Sequence, residues 1–175
     1  MDRISELNRY IDLYTDPEYK MGECRFMKLK KHIPDVSGYT WLDVSCGRGE
    51  LLDYLSSKGF IVKGSEGCAT LVDKIRVVKG ILPYLPFKDG EFDYVSNTDV
   101  LEHLIPEDTI PALKEIKRVG KGKYLIAIGN YPCPWKGSDD THINIRDDWD
   151  KLIMDIFGDY IAYHENDNLL YRIGY

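Results

Sequence analysis

From residue 39 onward, short apolar segments alternate with segments of helical periodicity, and this alternation constrains the fold more than any other feature. Five apolar segments have the length and composition of buried strands: 39–44, 60–64, 76–79, 92–96 and 123–128. Helical patterns at 49–58 and 109–119 lie between them. Because parallel strands need crossover helices, the pattern predicts a parallel sheet wrapped by helices.

The C-terminal part of the sequence has a different pattern. A helix is predicted over 147–157, and the segments 160–164 and 169–173 flank a polar turn suited to an antiparallel hairpin. We therefore predict an α/β protein: a Rossmann-like, doubly wound, mostly parallel seven-stranded sheet with an antiparallel C-terminal hairpin.

Composition restricts the classes of partner. The 23 basic and 29 acidic residues give a formal charge of −6, which disfavours nucleic acid as the main partner. No apolar stretch approaches the roughly 20 residues of a membrane-spanning helix, and the sequence opens with no secretory signal, so we expect a cytoplasmic protein away from membranes. The four cysteines form no CxxC pair, so no metal site is predicted.

The segment 41–50 carries the strongest functional signal. A strand ends near Asp43, turns through small residues and enters a helix, so that backbone N–H groups and the positive helix end would face a ligand. An ordinary strand-to-helix turn is the alternative. A dinucleotide fingerprint would need a third glycine where Leu52 or Glu50 stands. Glu66, at the end of the next strand, is either a ribose-binding carboxylate or a solvated surface charge.

Four motifs occur in a characteristic order: Asp43–Gly49, Gly64–Glu66, Leu85–Val95 and Asp99–Leu104. Together they resemble the ordered motifs of class I S-adenosylmethionine-dependent methyltransferases, and most closely the small-molecule branch that includes the type 11 methyltransferases. The resemblance covers about residues 39–130. It implies S-adenosylmethionine as cofactor and S-adenosylhomocysteine as product.

The resemblance also implies a set of cofactor-binding residues: Asp43, Ser45, Gly47, Gly49, Glu66, Ile81, Leu82 and Asn97. The loop up to Gly49 would hold the methionine moiety, and Glu66 the ribose. Ser45 replaces the usual first glycine, which a serine can do if its backbone angles are ordinary. Ile81 replaces the aspartate that binds the adenine amino group, so adenine would be held by apolar contact and backbone groups.

Candidate residues for catalysis and acceptor binding follow the fourth and fifth strands. His103 is one helical turn past Asp99, so both could face one cavity, with His103 either a general base or a structural side chain that caps the helix or packs beneath the cofactor. Tyr131, Trp135 and His142 would line the acceptor pocket, unless prolines simply stiffen that loop.

The segment 142–146 has two interpretations. It resembles the polar segment that returns a histidine or arginine to the acceptor pocket, and it is also consistent with a helix N-cap followed by a core residue, Trp149.

These expectations define one domain over 1–175, with an N-terminal helical lid (1–34), a cofactor-binding core (39–130) and an acceptor loop, last helix and hairpin (131–175). We predict methyl transfer to a small-molecule acceptor by in-line displacement. A degenerate or non-catalytic S-adenosylmethionine-binding module is the alternative. An NAD-dependent oxidoreductase and an enzyme acting on nucleic acid are weaker ones. The acceptor and the oligomeric state stay open.

Overall fold

The computed structural model describes residues 8, 11–12, 29–68, 71–72, 75–133 and 142–175 of the chain. The described strands are β1 (Thr40–Val44), β2 (Ile61–Glu66), β3 (Val77–Lys79), β4 (Phe92–Thr98), β5 (Gly120–Gly129), β6 (Tyr160–Ala162) and β7 (Asn168–Ile173). They form one sheet in the order β3-β2-β1-β4-β5-β7-β6. The first five are parallel, whereas β7 is antiparallel to both β5 and β6. The predicted fold class is confirmed.

Helices cover both faces of this sheet. The described helices are α1 (Glu50–Ser57), α2 (Thr109–Val119) and α3 (Trp149–Phe157), with short 3₁₀ turns at Lys30–His32, Leu101–His103 and Pro106–Asp108. Leu51 and Leu55 of α1 pack in the apolar cluster on one face. Ile116 of α2 and Ile153 of α3 belong to the larger cluster on the other face. The apolar stripes that predicted the helices are the surfaces that bury them against the sheet.

The smaller apolar cluster is built around Trp41, whose side chain is fully buried. Its ring stacks on Tyr94 with centroids 4.9 Å apart and meets the edge of Phe60 at 5.0 Å. The indole N–H donates a hydrogen bond of 2.9 Å to the hydroxyl of Ser96. Because Ser96 lies in β4, this contact joins the core to the polar end of the sheet.

Element boundaries differ from the predicted ones where strand pairing extends them. β4 continues to Thr98 because Asn97 and Thr98 still pair with β5. Asn97 therefore lies within the strand rather than after it. β5 begins at Gly120, three residues before the predicted start, since Gly120 pairs with Phe92. Both extensions depend on a neighbouring strand, which local sequence does not report.

The predicted N-terminal lid falls mostly outside the described residues. Residues 8, 11, 12 and 29 are helical, and a 3₁₀ turn at Lys30–His32 ends before Pro34. Within the described ranges, no helix combines the length and the apolar character needed to cross a membrane.

Candidate active site

The predicted site residues lie at the edge of the sheet where the parallel strands end. Val44, the last residue of β1, pairs with Ser65 of β2 on one side and with Asn97 of β4 on the other. The strand order reverses its direction at β1, since β2 and β3 lie to one side and β4 and β5 to the other. Ligands of open α/β sheets bind at such switch points.

The backbone amides of the loop after β1 are used within the protein. The N–H of Cys46 donates to the carbonyl of Ser65 (3.0 Å), and the N–H of Gly49 donates to the carbonyl of Cys46 (3.0 Å). The N–H of Gly47 donates to the carboxylate of Glu66 (2.9 Å). The expectation that the loop amides face the ligand is therefore wrong for these three. These three hydrogen bonds shape the loop, and the three amides are not available to hold a phosphate.

Ser45 adopts a left-handed backbone conformation with φ of 59°. The condition under which a serine fits here without strain, ordinary backbone angles, is therefore not met. The turn out of β1 needs a positive φ here, as it does again at Gly47 (φ 55°) and Gly49 (φ 86°). A side chain at such a position costs about 1 kcal/mol relative to glycine. The loop therefore has a conformation that strains the backbone of Ser45.

Glu66 lies at the end of β2 and is 6% exposed. One carboxylate oxygen, Oε1, accepts hydrogen bonds from the N–H groups of Gly67 (2.7 Å) and Cys68 (2.9 Å), and the other, Oε2, accepts that of Gly47. A carboxylate has about four acceptor positions, so Oε2 keeps one for a ligand hydroxyl. The predicted role in ribose binding stays a prediction, and the structure adds a second role: Glu66 joins the β1 and β2 loops.

Asp43 is buried in β1, with 3% of its surface exposed. Its Oδ1 accepts a hydrogen bond of 2.6 Å from the Ser96 hydroxyl, which in turn accepts the Trp41 indole N–H. The pKa of Asp43 is raised to about 7, chiefly by burial; the Ser96 hydrogen bond lowers it, and the negative charges of Glu66 and Glu50 add to the rise. The site therefore contains a carboxyl group that is half protonated near neutral pH.

Asn97 has no exposed surface and lies at the last part of β4. Its amide Nδ2 donates to the carbonyl of Val44 (3.1 Å). Its Oδ1 has no hydrogen-bond partner among the described residues. A buried acceptor of this kind costs roughly 1–3 kcal/mol unless a donor reaches it, so Asn97 is suited to accept a ligand N–H or O–H.

Ile81 and Leu82 follow β3 in the chain. The N–H of Gly80 donates to the carbonyl of Glu66 (3.1 Å), which places Ile81 next to the end of β2. Ile81 is 39% exposed, whereas Leu82 is buried in the core. Ile81 thus offers exposed apolar surface beside Glu66, as the predicted adenine contact requires.

Asp99 and His103 follow β4 but are not on one helix, contrary to the expectation. Asp99 has φ of 59°, which no helix allows, and a separate 3₁₀ turn then forms over Leu101–His103. His103 is nonetheless buried at 4% exposure. Its ring meets the ring of His142 edge to face, with centroids 4.6 Å apart.

His142 returns from the loop after β5 to the same place, as one of the two interpretations predicted. Its Nδ1 lies 2.6 Å from the carbonyl oxygen of Tyr131, and the two rings are 5.0 Å apart. Trp149 is a core residue at 1% exposure, as the other interpretation predicted, although Asp148 at the helix N-cap makes no side-chain cap hydrogen bond. The role of His142 in an acceptor pocket stays a prediction. Trp135 lies outside the described residues.

Glu102 is the site residue that sequence reasoning missed. It is fully buried, its Oε1 accepts the N–H of Gly129 (2.8 Å), and its backbone carbonyl accepts the N–H of Asn144 (3.0 Å). One ligand-type atom from each of Glu102, His103 and His142 lies within 4.8 Å of the others. The available signal was an acidic residue beside the predicted histidine, in the segment that follows a buried strand.

Comparison with known families identifies the central part of the chain. Residues 42–127 match a family model described as a methyltransferase domain. A curated relative, an uncharacterised methyltransferase of Synechocystis sp., is 29% identical over 124 residues, which cover 65% of this chain. The match spans 58% of that relative's length.

Solved structures share the fold. The PH0226 protein of Pyrococcus horikoshii superposes with a TM-score of 0.67 at 20% identity, covering 91% of this chain and 92% of its own. The 1,6-didemethyltoxoflavin-N1-methyltransferase of Burkholderia thailandensis was solved with 1,6-didemethyltoxoflavin and S-adenosylhomocysteine bound. It has a TM-score of 0.61 at 16% identity and covers 97% of this chain and 82% of its own.

Proposed function

The chain belongs to the class I S-adenosylmethionine-dependent methyltransferases, with S-adenosylmethionine as its cofactor, and from this premise we propose that it methylates a small-molecule acceptor by in-line displacement. The observation that carries the proposal is the polarity of the loop after β1. The amides of Cys46, Gly47 and Gly49 donate within the protein, and the ligand side offers acceptors and carboxyl groups.

These residues fit the proposed cofactor. S-adenosylmethionine has a positive sulfonium, an amino group and ribose hydroxyls, which are cationic or hydrogen-bond donors. Asp43, the remaining acceptor position of Glu66 and the Oδ1 of Asn97 complement those groups. Helix α1 also has Glu50 and Asp53 in its first turn. Because negative charge there opposes a bound anion, the pyrophosphate of NAD is disfavoured.

The bound cofactor supplies a methyl group on a positively charged sulfur, which is an activated leaving group. The chain's own residues then have to align the acceptor with the methyl group and the sulfur and exclude water, rather than form covalent bonds. Glu66 fixes the loop that positions the methionine moiety, and Asn97 presents an acceptor from the rigid middle of the sheet. Asp99, Tyr131 and His142 form the proposed acceptor side, and His103 is the proposed general base where the acceptor must lose a proton.

A small acceptor is favoured by the charge of the protein. The formal charge of −6 opposes the approach of a polyanionic nucleic acid. The Burkholderia enzyme, which has this fold, holds a small heterocyclic acceptor. We propose a small-molecule acceptor for this chain as well, without proposing the same compound.

Calorimetric titration with S-adenosylhomocysteine tests the cofactor site. We expect saturable binding by the wild-type protein and none with NAD. The Glu66→Ala variant should bind at least about tenfold more weakly, since it loses the ribose acceptor and the anchor of the Gly47 amide. The Glu91→Ala variant is the matched control because it removes an exposed carboxylate in the turn before β4, and it should bind as the wild type does.

Thermal unfolding by circular dichroism shows whether Glu66→Ala still folds. If it does not, Asn97→Leu replaces it, since that change removes the buried acceptor while keeping apolar bulk. Absence of binding to the wild-type protein at millimolar ligand would refute the cofactor assignment.

Transfer of a labelled methyl group to fractions of cell extract tests the acceptor class. We expect label in the low-molecular-weight fraction, resistant to nuclease and protease. Label that nuclease or protease removes would contradict a small acceptor. Cofactor binding with no transfer to any fraction would favour the degenerate, non-catalytic module.

A further inference from the structure

A buried cluster of one carboxylate and two imidazoles lies beside the proposed acceptor side of the sheet edge. It consists of Glu102, His103 and His142, and we call it the EHH cluster. All three side chains are at most 4% exposed, and one ligand atom of each lies within 4.8 Å of the others. We propose that the EHH cluster binds one divalent transition-metal ion.

The distances in the cluster are close to those of a coordination sphere. Metal bonds to imidazole nitrogen and carboxylate oxygen are about 2.0–2.2 Å, which places neighbouring ligand atoms about 3–3.5 Å apart. The ligand atoms of the EHH cluster lie within 4.8 Å of one another, so they need to close by at most about 1.3–1.8 Å, a change that side-chain rotation supplies.

His142 is held in the orientation of a metal ligand. Its Nδ1 is 2.6 Å from the carbonyl oxygen of Tyr131. A carbonyl only accepts, so Nδ1 carries the proton and donates it, and the lone pair is on Nε2. A hydrogen bond from one ring nitrogen to a backbone carbonyl is the usual support of a histidine whose other nitrogen binds a metal.

Glu102 and the segment that carries His142 are fixed to one another. Asn144 donates from its backbone N–H to the carbonyl of Glu102 (3.0 Å), and from its side chain to the carbonyl of Leu101 (2.9 Å) and the hydroxyl of Thr109 (2.8 Å). The Glu102 carboxylate is itself oriented by the N–H of Gly129. A site built from two distant segments is thus held by hydrogen bonds before any ion binds.

The donor set selects the kind of ion. Two imidazole nitrogens with one carboxylate oxygen suit Zn²⁺, Co²⁺, Fe²⁺ or Mn²⁺, whereas Mg²⁺ and Ca²⁺ prefer oxygen ligands throughout. Three protein ligands leave coordination positions open, which is the arrangement of a site that also receives a substrate.

The open positions indicate the acceptor class, and this step rests on the proposed function. A hydroxyl oxygen on the ion loses its proton more readily than in water, because the positive charge stabilises the alkoxide. In the transfer, that oxygen forms the new C–O bond, the methyl C–S bond breaks with its electron pair left on sulfur, and the hydroxyl proton passes to solvent. His103 then acts as a metal ligand instead of the general base, and the acceptor is a hydroxylated small molecule.

Metal analysis of the chelator-treated protein tests the site directly. We expect about one equivalent of Co²⁺ or Zn²⁺ after incubation and gel filtration, with visible absorption of the Co²⁺ form that indicates nitrogen and oxygen ligands. Glu102→Gln and His142→Asn should each weaken binding by more than about tenfold, since both remove a ligand. Glu102→Gln keeps an oxygen for the Gly129 N–H.

His164→Asn is the matched control. His164 is exposed in the hairpin and contacts Asp150 instead of the EHH cluster, so its removal should leave metal content unchanged. Far-UV circular dichroism checks the folding of each variant. If Glu102→Gln does not fold, the metal content of His142→Asn provides the test. Metal content below about a tenth of an equivalent in wild-type protein, or folded ligand variants that retain the metal, would overturn the proposal.

Titration of the metal-free protein with S-adenosylhomocysteine separates the two proposals. Binding of S-adenosylhomocysteine without metal binding overturns the EHH cluster as a metal site and leaves the proposed function. Metal binding without S-adenosylhomocysteine binding overturns the proposed function and leaves the EHH cluster as a metal site. If both bind, the hydroxylated acceptor class is tested by whether transfer to the labelled product requires the metal.

Discussion

Replacement of Asp43 by asparagine should stabilise the ligand-free protein at alkaline pH and do so less as the pH falls. The pKa of Asp43 is raised, chiefly by burial, to about 7 from the 3.8 of an exposed aspartate. The folded state therefore binds a proton that the unfolded state has already released, and stability falls as the pH rises from about 4 to about 7. The difference of about 3 pKa units corresponds to about 4 kcal/mol lost above neutral pH.

Asparagine removes this titration while its carbonyl can still accept the Ser96 hydroxyl. The free energy of unfolding, measured by urea denaturation from about pH 5 to about pH 8, should fall in the wild type relative to Asp43→Asn by about 3 kcal/mol. A fixed cost of placing the amide in the pocket shifts the whole curve and leaves this slope unchanged. Only the change with pH is therefore diagnostic.

The exposed Asp159 provides the matched control. Asp159→Asn should differ from the wild type by a nearly constant amount over the same range, because an exposed carboxylate keeps its solvation on folding. A difference between Asp43→Asn and wild type that does not vary with pH would refute the assignment of a buried, half-protonated carboxyl group to this position.

Three further substitutions test the packing around the loop and the core. Gly64→Ala should destabilise the protein by about 1–3 kcal/mol, because the new Cβ would lie 2.5 Å from the Sγ of Cys46; Cys46→Ala should relieve part of this loss. Ser45→Gly should raise the free energy of unfolding by about 0.5–1 kcal/mol by relieving the left-handed strain. Trp41→Ala should lower it by about 3–5 kcal/mol, since it removes the stacked ring and leaves the Ser96 hydroxyl without its donor. Urea denaturation measures all three.

Each of these three substitutions has its own refuting result. If Gly64→Ala is neutral, β2 and the loop are not in the close contact described. If Ser45→Gly is destabilising, the positive φ is not the controlling feature of that turn. If Trp41→Ala costs no more than a surface substitution, its cluster is not a core.

Strand and helix existence could be predicted from the sequence because each depends on a local pattern of apolar residues. The boundaries of β4 and β5 could not, because Asn97, Thr98 and Gly120 become strand residues only by pairing with a neighbouring strand. The same limit applies to the loop after β1. Its glycines predicted a tight turn, but the hydrogen bonds of the Cys46 and Gly47 amides depend on Ser65 and Glu66, which are distant in sequence.

The sequence by itself determined the fold class and the order of the motifs, because hydrophobic periodicity and turn residues act over short distances. Tertiary structure decided the chemistry of individual groups. The raised pKa of Asp43 results from burial and from Glu66 and Glu50, and the strain at Ser45 from the path that the loop must follow. The EHH cluster exists only because folding brings the loop after β5 back to the turn after β4. Pairwise distances of this kind depend on how the elements pack, and no periodicity in a single sequence records them.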